Sequence, residues 1–251
     1  MGIFDVLLGR TKPAKADLDR LFRLPGAAMN LQAALGLRPS GHAGVCFKPM
    51  AGRSFSEARS EIAQLLQLPD DGNDAPVGLP TATAGPTGSS TSRTRLPDRE
   101  DKYGYTWVQV ESGDFEELVT RVHVVNSTLE GNGYGPMLLC SVFSFVAGPL
   151  GADSDGPGQV STEELAALGI GNPGVAGAPT GRDVVGGGWS SASPAYLVYL
   201  YKRGTFYPFV PTGHEKRDLD AEMVLATATE HDLAIEKEKE RWFPIWDVPV
   251  R

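Results

Sequence analysis

The chain has 251 residues, 41% of them hydrophobic, and a formal net charge of −8 at pH 7. That balance excludes a broad nucleic-acid-binding surface, which needs an excess of Lys and Arg to neutralise phosphates. Its two cysteines, Cys46 and Cys140, exclude a disulfide framework; each lies in an apolar run and reads as a buried thiol in a reducing compartment, with a redox pair as the alternative.

The opening MGIFDVLLGR carries five large apolar side chains, Ile3, Phe4, Val6, Leu7 and Leu8. On a helix at about 100° per residue they share one arc opposite Gly2, Asp5 and Gly9, with Arg10, Lys12 and Lys15 behind. This is the pattern of a helix lying in a membrane interface, so Ile3, Phe4, Val6, Leu7, Leu8 and Arg10 are expected to touch an anionic membrane surface. So short a helix is unstable in water. Burying each apolar side chain yields ~1.5–3 kcal/mol against ~1–2 kcal/mol of ordering per residue, so the contact is reversible. The competing reading is a segment that packs on the domain itself. The segment lacks the basic start and apolar length of a secretory signal, and Val6 stands where myristoylation wants Ser or Thr. No run reaches the ~18–20 apolar residues of a transmembrane helix.

ADLDRLF and GAAMNLQAALG predict a short helical region stopped by Gly36, and HAGVCFKP a strand. SFSEARSEIAQLLQL predicts a helix: Ser54 with Glu57 forms a capping box, and Phe55, Ala58, Ile62, Leu65 and Leu66 form one stripe. Residues 69–101, containing GLPTATAGPTGSSTSRTR, read as a low-complexity loop. YTWVQV is a strand. DFEELVTRVHVVNSTLEGNG is the clearest helix: Asp114 and Glu117 cap it, Phe115, Leu118, Val122, Val125 and Leu129 repeat at helical spacing, and Gly131 ends it. PMLLCSVFSFV, apolar on both sides, predicts a central strand. Residues 148–194 read as a flexible Gly/Pro-rich insertion, with two helical turns at STEELAALGI capped by Ser161 and Glu164. AYLVYLYKRGTFYPFVP predicts a hairpin turning at Lys202-Arg203-Gly204-Thr205, followed by a helix at RDLDAEMVLATATEHDL and a charged tail ending ERWFPIWDVPVR. The expected fold is α+β over residues 1–251: a single antiparallel sheet, helices packed on one face, and two long insertions.

Reactive groups do not converge in the sequence. His42, His123, His214 and His231 have no metal-ligand spacing, and HExxH, CxxC and GxSxG are absent. GNGYG at 131–135 follows a helix and precedes a strand, the reverse of a phosphate loop. Asn126-Ser127-Thr128 matches a glycosylation sequon but falls inside a predicted helix. No catalytic residue, cofactor or metal is therefore expected. An enzyme or small-molecule sensor whose site is assembled from distant residues is the alternative.

Two aromatic clusters remain, YLYKRGTFYPF and RWFPIW. Strand alternation sends the hairpin aromatics to opposite faces, and each face needs a cover. The tail either folds back onto the sheet or docks into another protein, and Tyr201, Lys202, Arg203, Phe206, Tyr207, Phe209, Trp242, Phe243 and Trp246 are the candidate partner-binding residues.

MGIFDVLLGRTKP, YGYTW at 103–107, GPMLLCSVFSF at 135–145, YLVYLYKRGTFYPF at 196–209 and RWFPIW at 241–246 together resemble the actinobacterial PspA-associated PspAB family. The block FEELVTRVHVVNSTLEGNGYGPMLLCSVF resembles YbjN and the type III secretion chaperone-like fold. The resemblance implies a non-enzymatic accessory protein of a PspA-type, phage-shock envelope-stress response. It would be cytoplasmic, peripheral at the inner face of the cell membrane, and partnered by PspA or a related stress component. The resemblance brings no functional residues with it.

Overall fold

The computed structural model describes residues 16–48, 55–66, 92–96, 100–148, 194–246 and 248–250. The opening segment, most of the two insertions and the Ser54 cap lie outside the described residues.

A 3-10 turn, Leu18–Arg23, runs directly into α1 (Leu24–Leu35). Pro25 sits in the first turn of α1, where a missing N–H leaves no hydrogen bond unmade. Gly36 ends the helix as expected, in the left-handed conformation at φ 67°. The chain then enters β1 (Leu37–Phe47), earlier than the Val-Cys-Phe centre suggests. Pro39 and Gly41, poor strand residues, are accommodated by a bulge between Pro39 and Ala43, with Gly41 at φ 84°.

The remaining elements are α2 (Phe55–Leu65), β2 (Arg93–Arg95), β3 (Thr106–Glu111), α3 (Phe115–Leu129), β4 (Leu138–Ala147), β5 (Ala195–Leu200), β6 (Thr205–Phe209), a small hairpin of β7 (Pro211–Gly213) and β8 (Lys216–Arg217), and α4 (Leu219–Thr229). Six strands form one sheet in the order β2-β3-β1-β4-β5-β6, every neighbouring pair antiparallel. The fold is α+β, and the apolar run at 138–147 is central, between β1 and β5.

Arg93–Arg95 lies inside the stretch read as a low-complexity loop, yet it pairs with Gln109, Val110 and Glu111 of β3. What fixes it is tertiary. The Ser92 hydroxyl donates to Glu117 Oε2 at 2.7 Å, and Leu96 is buried. Burial alone would raise the Glu117 carboxyl. Hydrogen bonds from Ser92, Arg121 and Ser112 outweigh it and hold the group below the usual carboxylate range.

Helix α3 opens as its sequence predicts, with Glu117 N–H donating to Asp114 Oδ1 at 2.7 Å. Its end differs. The chain stays helical past Gly131 into a wide turn, Glu130–Tyr134, and the left-handed glycine is Gly133 at φ 88°. Leu118, Val122, Val125 and Leu129 are all buried and face one side of the sheet with Leu21, Leu24 and Leu31. Burial of each contributes about 1.5–3 kcal/mol. Among the described residues, no helix is long and apolar enough to cross a membrane.

The helices account for one face. The other carries a second apolar cluster, covered by the irregular tail through Trp242, Val248 and Val250.

Candidate functional site

Strand register arranges the tail-side face in rows. The first row is Phe209–Tyr196–Ser144; the second is Tyr207–Val198–Val142–Gly44–Gln109; the third is Thr205–Leu200–Cys140–Cys46–Trp107. The tail lies over the first two. Trp242 stacks on Tyr207 with centroids 6.3 Å apart, and Trp246 meets Phe209 edge-on at 5.4 Å. Tyr196 Oη donates to the Val250 carbonyl at 3.3 Å, and Gln109 Nε2 to the Pro249 carbonyl at 2.9 Å. Gly44 makes this approach workable: a Cβ there would stand 2.7 Å from Val250 Cγ2 and 3.2 Å from Trp107 Cε3.

Three charged side chains anchor the tail. Glu222, fully buried on α4, accepts from Val210 N–H at 3.0 Å and from Arg217 Nη2 at 2.6 Å. Arg217 in turn donates to the Trp242 carbonyl at 2.6 Å and lies over the Phe209 ring. Glu236 accepts from Arg203 Nε, from the Thr205 hydroxyl at 2.8 Å and from Glu238 N–H at 3.2 Å. Beside it, Phe206 N–H donates to the Ala234 carbonyl and Glu236 N–H to the Phe206 carbonyl, which closes the outer edge of β6.

Burial pushes the Glu236 carboxyl up, but the hydrogen bonds from Arg203, Glu238 and Thr205 pull it below its ordinary value. A carboxylate held below its unfolded value contributes stability above that value and loses it as pH falls through the folded one. Glu236→Gln is therefore expected to narrow the stability difference between pH 7 and pH 3. Urea unfolding at both pH values reads this, and an unchanged difference would assign the acid sensitivity to other carboxylates.

The hairpin turns where the sequence places it, with Gly204 at φ 65°. Burial, however, corrects the list of candidate contacts. Tyr201, Phe206, Tyr207, Phe209 and Trp242 are each at most 6% exposed and form the chain's own core, because tail and helices cover both faces of the hairpin. Trp246 is half-buried against Phe209. Lys202, Arg203 and Phe243 point outward, Phe243 at 57% exposure. These outward groups flank one short stretch: Arg203 binds Glu236, Trp242 Nε1 donates to the Glu236 carbonyl at 2.9 Å, and Tyr207 Oη donates to the Phe243 carbonyl at 2.8 Å. The membrane-contact candidates Ile3, Phe4, Val6, Leu7, Leu8 and Arg10 lie outside the described residues.

A cavity of 310 Å³ opens beside the tail, lined by His42, Ala43, Gln109, Val110, Glu111, Val248, Pro249 and Val250. His42 Nδ1 stands 3.8 Å from Glu111 Oε1, and the lining adds no nucleophile to that pair. His123 Nε2 is 3.5 Å from Asp19 Oδ1 with its ring on Phe22, while His214 and His231 are exposed. No group of three or more potential metal ligands forms among the described residues. Asn126, the sequon residue, is fully buried and donates to the Val122 carbonyl and Ser141 Oγ.

The anchors Arg217, Glu222 and Glu236 are absent from the sequence reading. Glu222 leaves no separate signal, since LDAEMVLATAT carries two first-turn carboxylates and the other, Asp220, is exposed.

A family model described as PspA associated protein B, PspAB, matches residues 1–153 and 185–250. No curated protein matches, and no solved structure matches.

Proposed function

From the premise that this chain belongs to the PspA associated protein B family, we propose that it is a binding protein of the PspA-type envelope-stress response rather than an enzyme. It works in the cytoplasm and at the inner face of the cell membrane. It binds PspA or a related stress component with Phe243, the half-buried Trp246 and the turn residues Lys202 and Arg203. The opening segment, through Ile3, Phe4, Val6, Leu7, Leu8 and Arg10, meets anionic lipid. The observation that carries the reading is Phe243. It is a large aromatic 57% exposed on a tail whose neighbours are clamped by buried hydrogen bonds, so it presents apolar surface at little ordering cost.

The test is direct binding of purified chain to purified PspA, with and without anionic vesicles. Phe243→Ala with Lys202→Glu is expected to weaken PspA binding at least tenfold without changing the unfolding midpoint. Phe4→Asp with Leu7→Asp is expected to abolish vesicle flotation alone. Wild-type affinity in the first variant would remove the tail surface from the interface, and flotation of the second would remove the opening segment from the membrane.

A further inference from the structure

Cys46 and Cys140 are the chain's two cysteines, and the register sets them directly opposite each other on β1 and β4. Both side chains belong to the tail-side cluster, and both are free thiols. Opposed residues of an antiparallel pair have Cα atoms about 4.5–5.5 Å apart, inside the ~4.4–6.8 Å range that a disulfide spans. The next register step runs from Cys46/Cys140 to Phe47/Leu138, so Leu139 is an extra residue beside the pair. A bulge of this kind loosens the ladder where the two Cβ atoms would have to draw together.

Access fits the same reading. The ring stacks of the tail and its bonds from Tyr196 and Gln109 fall on the first two rows of the face; on the third the Thr205–Glu236 bond holds only the outer end, and the cysteines sit in the middle of that row. Leu200, paired with Cys140, is only partly buried, as are Leu139 and Tyr105, which pack against the same cluster. Cys140 retains 8% exposure and Cys46 3%.

We propose that Cys46 and Cys140 are a reversible dithiol–disulfide pair, closed by small-molecule disulfides and opened by small thiols. The Cys140 thiolate attacks one sulfur of the small disulfide, forming a mixed disulfide and expelling one small thiolate. Cys46, its proton passed to that thiolate, attacks Cys140 Sγ and expels the second. Two protein thiols are oxidised, and one small disulfide is reduced to two thiols. The hydrogen bond to Cys140, together with burial, pushes the Cys46 thiol well up, so the closing attack of Cys46 on the mixed disulfide accelerates with alkalinity.

The full chain is incubated natively with oxidised glutathione at pH 7, 8 and 9, and its intact mass is followed. The expected product is lighter by two hydrogens, carries no adduct, returns to the dithiol with dithiothreitol, and forms faster at each higher pH. Cys46→Ser is expected to stall with one glutathione on Cys140. A persistent glutathione adduct on the wild type would overturn the proposal. So would retention of both thiols across the pH range, or a rate that rises in low urea in proportion to the unfolded fraction; either would leave the pair as packing alone.

Discussion

Replacing Glu222 by alanine is expected to lower stability by about 3–5 kcal/mol, the range for removing one partner of a buried ion pair. The loss is compound. Val210 N–H loses its acceptor, and Arg217 keeps its charge with no carboxylate beside it. The Arg217 bond to the Trp242 carbonyl is then no longer held in place. In a domain of this size the midpoint should fall by roughly 10 °C. Glu222→Gln keeps the shape and one acceptor, so it should lose distinctly less. Thermal and urea unfolding of the three proteins check the order. Equal losses for Ala and Gln would mean that charge, rather than the acceptor to Val210, carries the effect.

Trp242→Ala is expected to cost about 3 kcal/mol, near the lower end for large aromatic truncations in a core. The indole loses its stack on Tyr207 and its hydrogen bond to the Glu236 carbonyl. The cavity should be partly relieved by release of the tail. Limited proteolysis should therefore cut after residue 242 well before the helices are attacked. Phe243→Ala, one residue on, should shift stability by less than ~0.5 kcal/mol because that ring is already in solvent. If the neighbouring substitutions cost the same, Trp242 is not the anchor.

The elements that announced themselves in the sequence are those whose contacts are periodic. Leu118, Val122, Val125 and Leu129 recur at helical spacing because α3 turns one continuous apolar face into the core. The hairpin is legible because Gly204 supplies the left-handed turn between two aromatic runs. Arg93–Arg95 was invisible for the opposite reason: three polar residues have no alternation, and Glu117, far along the chain, fixes their neighbourhood. The site was half legible. Its aromatics stood out as a cluster, but which of them faces solvent is decided by the tail's return, and that return depends on ion pairs between residues 203 and 236 and between 217 and 222. Charges in a sequence read as a solvated surface, since pairing across such separations leaves no period. Gly44, inside a strand, carried a local hint that the Val250 and Trp107 side chains press onto its backbone.

The direct pairing of β4 with β5 bears on what length of chain can stand between them. Closing a loop costs entropy that grows only as the logarithm of its length, about 0.6 kcal/mol for each doubling. An antiparallel pair asks of its connection only that the two ends meet, and Phe145 opposite Ala195 is where they do. Residues 154–184, which the family match passes over, fall wholly within this connection. Additions there change the fold's free energy by a fraction of what one misplaced core side chain would. Such a connection can carry new sequence at little thermodynamic cost.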